Sequence, residues 1–151
     1  MDRPISNGLR TTFLVHLVIS TVLGAALLLV PGRALNLLGW VPDWVQLPNS
    51  DQRIPGQTFV DPVVTRILGA ALLALALSSL RGWSGSAPAR KWNEVAFLVE
   101  LETVFNVLGA LAILAGVFLT NRGMPVIGWV LFVVQIAFAV AFGLAWRQSR
   151  T

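Results

Sequence analysis

His16, Arg66, Glu102, Asn106 and Gln135 are polar residues set inside otherwise apolar runs of a 151-residue chain. An ionisable group in such surroundings is costly unless it is paired or used, so any chemistry of this chain should involve these residues. His16 and Glu102 could form an acid–base pair on a lipophilic substrate, provided their side chains come within hydrogen-bond reach. Glu102 alone could exchange a proton for a substrate. The same five residues could instead line a ligand site. Equally, they could hydrogen-bond between helices and fix the packing.

Other chemistries drop out at once. There is no cysteine, which removes disulfides, thiolate catalysis and iron–sulfur ligation. Tyrosine is absent too, so no phenolic acid is at hand. A single histidine without cysteine supplies no conventional zinc set, and no metal ligands are expected. His16 could still ligate the metal of a haem or chlorophyll, or meet its copy across a dimer axis. No Ser-His-Asp arrangement is expected, because the serines near the membrane ends are not placed beside His16. Phosphate-cradling glycine loops are missing.

Spacing narrows the candidates. Glu102 and Asn106 are four residues apart and share a helix face with Gly109 and Gly116, a small, polar face suited to the inside of a bundle. Glu100 lies about 200° around that helix from Glu102, so both cannot point inward. Glu100 is near the helix end and can snorkel to water. If Val30 marks the outer end of the first run, His16 sits about 9 Å from the inner surface. Asn106 and Gln135 come out at similar depth, with Glu102 about one turn further in. One cluster of His16, Glu102, Asn106 and Gln135 is therefore expected. Arg66 falls in the first turn of its run, where a cation opposes the helix dipole. It needs an acceptor, such as Asp61, a loop carbonyl or a bound anion, or else its stem snorkels outward.

Four apolar runs must position these residues, at 12–30, 62–80, 95–119 and 124–146. Each is close to the roughly 20 residues that a membrane-crossing helix requires. Hydrophobic residues make up 56% of the chain and charged residues 12%, too few to cover a soluble domain of this size. The expected fold is all-α: one integral membrane domain over residues 1–151, a four-transmembrane-helix bundle. A signal peptide is the other reading of the first run, but the run is too long and ends in Val30-Pro31-Gly32-Arg33 without a small-x-small cleavage site. It is read as a retained helix.

Charge sets the orientation. Arg3, Arg10, Arg81, Arg90, Lys91, Arg147 and Arg150 fall on one side; Arg33, Arg53 and Arg122 fall on the other, with Asp43, Asp51 and Asp61. The positive-inside rule places both termini in the cytoplasm of a bacterial cell membrane. The net charge of +4 is read as a topology signal facing lipid headgroups, so no nucleic-acid partner is expected. Trp40, Trp44 and Trp129 mark the outer interface, and Trp83, Trp92 and Trp146 the inner one. The outer loop, 31–61, should open with a short helix over 33–40 lying flat in the interface. Pro42, Pro48 and Pro55 break the remainder. Asp61-Pro62 reads as an N-cap followed by proline at the first helical position. Residues 81–90 read as a flexible connector.

Close helix packing has its own signal. Leu23-Gly24-Ala25-Ala26, Leu68-Gly69-Ala70-Ala71 and Leu108-Gly109-Ala110-Leu111 place three glycines about 9, 10 and 15 Å from the outer ends. They could form one layer of backbone contact, which matters because lipid supplies no hydrophobic drive between helices. Ala137, Ala141 and Ala145 give the fourth run a comparable face.

The text of the chain resembles small bacterial four-helix membrane proteins of the DoxX-like kind. The matching stretches are Val30-Pro31-Gly32-Arg33-Ala34-Leu35, the run from Asp61-Pro62 to Gly69-Ala70, and Glu102-Thr103-Val104-Phe105-Asn106-Val107-Leu108-Gly109. The resemblance implies a four-helix bundle, in some members an accessory subunit of a quinone-linked or redox membrane complex. It carries over no catalytic residue.

Three functions are consistent with these features. The first is a non-catalytic accessory subunit or binding bundle for a lipid, quinone or pigment, partnered by other membrane helices or by its own copies in the lipid bilayer. The second is a small, dimeric, proton-coupled transporter using Glu102. The third is an intramembrane enzyme on a lipophilic substrate, with His16 and Glu102 as its catalytic pair.

Overall fold

The computed structural model describes residues 4–84, 91–120 and 124–150. Arg3, Arg90 and Arg122, and most of the 81–90 connector, lie outside the described residues. Four long helices dominate: α1 (Asn7–Leu29), α3 (Pro62–Trp83), α4 (Trp92–Thr120) and α5 (Val126–Arg150). All four are long and apolar enough to cross a membrane, as expected of a multi-pass membrane protein. Their outward faces carry large apolar side chains, among them Leu29, Phe97 and Phe118, each more than two-thirds exposed. In water such surface would be untenable; against hydrocarbon it is the normal exterior.

Local chemistry sets where the helices begin and end. The Ser6 hydroxyl accepts the Leu9 N–H at 3.2 Å and caps α1. Asp61 Oδ1 accepts the N–H groups of Val63 and Val64 at 2.8 and 3.2 Å, and Pro62 follows at the first helical position. Pro31 ends α1 and begins a short helix, α2 (Pro31–Leu37), two residues earlier than the spacing suggests. Gly39 closes α2 in the left-handed region at φ 74°. Its N–H bonds Asn36 and the Trp40 N–H bonds Leu35, a Schellman ending.

The proline-broken stretch after α2 is more ordered than its composition suggests. Strands β1 (Trp44–Gln46) and β2 (Arg53–Pro55) pair antiparallel, Trp44 opposite Pro55. Asn49, at φ 59°, helps turn the chain between them. A 3₁₀ turn at Gly56–Phe59 then leads into α3. Gly56 is packed so tightly on the Pro42 carbonyl that a Cβ there would overlap it. The all-α expectation therefore needs one amendment: a small hairpin sits on the loop.

The bundle is built from two intimate pairs, α1 with α3 and α4 with α5, joined by lighter α1–α5 and α3–α4 contacts. A Cβ on Gly24 would lie 2.9 Å from the Gly69 carbonyl, and one on Gly69 would lie 2.7 Å from the Leu28 nitrogen. These two glycines do let the backbones touch. Gly109 does not join their layer; it faces α5, where a Cβ would lie 3.1 Å from the Gln135 amide. Nor does an alanine stripe turn inward on α5. Phe138 and Phe142 are buried, whereas Ala137 is exposed and Ala141 and Ala145 half-buried. Gly116 is exposed, because the inward face of α4 has rolled away by that turn.

The core proper lies at the end of the bundle that holds the N-terminus. Leu9, Phe13, Val99, Phe138 and Phe142 form one cluster, with Trp92 and Trp146 at its edge. Phe13 and Phe142 meet at 5.1 Å between ring centroids. Gly82 makes room for Phe13: a Cβ there would come within 2.7 Å of three ring carbons. A single antiparallel bridge, Pro4 to Lys91, ties the N-terminal segment to the start of α4.

Candidate functional site

Immediately above this aromatic floor, three helices bring polar side chains together. His16 comes from the inward face of α1, which carries Leu9, Phe13, His16, Ser20, Gly24 and Leu27 at helical spacing. Ser79 comes from α3 and Glu102 from α4, and neither side chain reaches the surface. Phe138 and Phe142 wall the site from α5, with the His16 ring edge-on to both at 4.7 and 5.8 Å.

The hydrogen bonds form a chain. Ser79 Oγ donates to Glu102 Oε1 at 2.9 Å and lies 2.8 Å from His16 Nδ1. With its own proton on the carboxylate, the serine oxygen accepts from Nδ1–H. His16 Nδ1 also lies 3.4 Å from Glu102 Oε2. The Ser20 hydroxyl sits 3.5 and 3.4 Å from the two ring nitrogens, favouring neither. Asn106 Nδ2 bonds the Glu102 backbone carbonyl at 2.7 Å, one turn along α4. Burial makes each of these bonds hard to do without, since an orphaned polar group here would have no water to turn to.

Three buried atoms in this region have no hydrogen-bond partner among the described residues: Glu102 Oε2, Ser78 Oγ and Gln135 Oε1. Two of them border the His16–Ser79–Glu102 chain. Its carboxylate thus has one oxygen bonded to Ser79 and one not hydrogen-bonded.

Of the expected cluster, His16 and Glu102 come together, while Asn106 is buried one turn along α4 and bonds the Glu102 backbone carbonyl. Glu100 is exposed, as its angular offset requires. Gln135 is not hydrogen-bonded to the group; its amide lies over Gly109, about one turn beyond Asn106. Arg66 is exposed at the opposite end of the bundle, and Asp61 serves the α3 cap.

The expectation that no serine accompanies His16 is wrong. Ser20 and Ser79 both touch the ring, because Ser20 shares the His16 face and Ser79 lies above the last turn of α3. A readable signal existed: Thr65, Gly69, Ala76 and Ser79 fall within an arc of about 80° on α3. This is still not a nucleophile triad. Such a triad places histidine between serine and acid, whereas Ser79 stands between His16 and Glu102. Ser20 lacks a directed bond to either ring nitrogen.

What the geometry can do is move a proton. Protonated His16 can release Nδ1–H to Ser79 Oγ as Ser79 passes its own proton to Glu102 Oε1. The pair goes from imidazolium and carboxylate to imidazole and carboxylic acid, with the hydroxyl regenerated. The reverse shift needs no change in heavy-atom positions. Comparison with known proteins adds nothing to this: no family model, no curated protein and no solved structure matches the chain.

Proposed function

We propose that the protein is a small, non-catalytic integral membrane bundle, acting as an accessory subunit or as a holder of a lipophilic ligand such as a lipid, quinone or pigment. One observation carries this reading. The side chains able to do chemistry are sealed in the interior, His16 at 2% and Glu102 at 0% exposure, while the apolar faces of all four helices are open. A sealed site admits no substrate; open apolar faces accept helices and lipids. In this reading the protein lies in a bacterial cell membrane with both termini cytoplasmic, and α2 rests in the outer interface.

Glu102→Gln tests it. The amide keeps the volume and an acceptor for Ser79, so the bundle should fold normally and keep its ligand or partner on the open helix faces. A folded variant that loses both would contradict the sealed-site argument.

The Glu102 oxygen that lacks a hydrogen bond favours a second reading, proton-coupled transport by a dimer. Substrate-driven proton release from proteoliposomes, lost in Glu102→Gln, would decide for transport. The enzyme reading asks for His16 and Glu102 within hydrogen-bond reach. Nδ1 and Oε2 lie 3.4 Å apart with Ser79 between the side chains, but the same burial that defines the site keeps a substrate out.

A further inference from the structure

The loop at the far end of the bundle contains a second polar site, unrelated to His16. A cavity of about 420 Å³ opens between α2 and the hairpin, lined by Arg33, Asn36, Leu37, Asp43, Trp44 and their neighbours. That volume falls in the usual range for small-molecule sites. Its walls are firm. Gly56 is locked against Pro42, its N–H bonds the Asp43 carbonyl at 3.0 Å, and a Cβ on Gly32 would lie 2.9 Å from Gln57.

The lining has a definite chemical character. Arg33 and Asp43 both face the cavity without forming an ion pair with each other. Asn36 Nδ2 holds Asp43 Oδ1 at 2.9 Å and orients the carboxylate. Leu37 and Trp44, 77% and 59% exposed, form an apolar rim. A purely anionic ligand would meet Asp43, and a purely cationic one would meet Arg33. A ligand with both charges and an apolar tail satisfies every wall.

We propose that this pocket holds the headgroup of a zwitterionic phospholipid, with its phosphate on Arg33, its ammonium on Asp43 and its chains leaving over Leu37. The position suits it, since the pocket sits where α1 ends and α3 begins, at headgroup level for a spanning bundle. The inference deepens the ligand-holding reading by naming a lipid class and rests on it. Guanidinium pairs with phosphate through a planar fork, and a primary ammonium donates to a carboxylate.

The test uses the full chain in nanodiscs of equal phosphatidylethanolamine and phosphatidylglycerol, with retained lipid counted by native mass spectrometry. Phosphatidylethanolamine should be retained about fivefold over phosphatidylglycerol, and Arg33→Gln or Asp43→Asn should each remove the preference. Asp51→Asn, on the same loop outside the pocket, should leave it unchanged. Retention without preference, or a preference indifferent to both substitutions, overturns the pocket assignment while a ligand-holding role elsewhere survives. Displacement by millimolar phosphoethanolamine would assign the pocket to a soluble ligand and overturn the lipid. No lipid retained at all would defeat the ligand-holding reading itself.

Discussion

His16 Nδ1 and Glu102 Oε2 lie 3.4 Å apart on helices that stand diagonally across the bundle. α1 packs on α3 and α5, and α4 packs on the same two helices. The polar pair therefore closes the bundle across its centre, and Ser79 completes the link from the side. Ser79 bonds each partner from a neighbouring helix, and the apolar cluster of Leu9, Phe13 and Val99 joins the same diagonal nearer the N-terminal end.

Removing the middle member should cut that connection. Ser79→Ala should cost about 1 kcal/mol, the scale of an interhelical hydrogen bond in a membrane protein. The infrared carboxyl band of Glu102, identified by its loss in Glu102→Gln, should shift. Denaturant unfolding in detergent reads the first effect and difference spectroscopy the second. An unmoved band would mean that the hydroxyl does not bridge the pair.

The glycines divide sharply in their tolerance. Gly24→Ala or Gly69→Ala pushes a methyl group into the backbone of the facing helix and should cost about 1–3 kcal/mol. Gly116→Ala should be neutral, since a Cβ there meets nothing within 4 Å. Thermal melts of the three variants would separate them. Equal losses would contradict the close α1–α3 contact.

Phe13 and Gly82 should be coupled. Gly82→Ala forces a methyl group against the Phe13 ring and should destabilise by about 1–3 kcal/mol. Phe13→Leu should cost stability on its own, yet recover part of the Gly82→Ala loss in the double variant. Strict additivity would show that the two do not share the space.

Much of this was legible from spacing and some was not. The helices follow from apolar run length and from caps such as Asp61-Pro62. The 200° offset shows that Glu100 and Glu102 cannot both turn inward, and the small, polar face shared with Asn106 and Gly109 picks Glu102. Two things escaped. The hairpin depends on Gly56 meeting the Pro42 carbonyl, a contact between residues whose prolines read as breakers. The company of His16 depends on helix neighbours: Ser20 was visible on its own face, but the meeting with Ser79 required knowing that α1 lies against α3. The fourth-helix alanines answered only in part: Ala145 packs against the core cluster, Ala141 is half-buried and Ala137 is exposed, while Phe138 and Phe142 supply the buried face.

The absence of native cysteine makes the membrane crossing simple to test. Asp51→Cys on the hairpin side and Ser84→Cys after α3 should react with an impermeant thiol reagent from opposite sides of sealed cells. In intact bacteria the hairpin site should label and the other should not. Labelling of both from outside would contradict the four-span arrangement.

Native mass spectrometry of the protein, extracted gently from its own membranes, bears most directly on its role. A stoichiometric added mass, from another subunit or a bound lipophilic molecule, is the expected result and would identify what is held. A bare homodimer carrying nothing would contradict the accessory and binding role and leave proton-coupled transport through Glu102 as the better explanation.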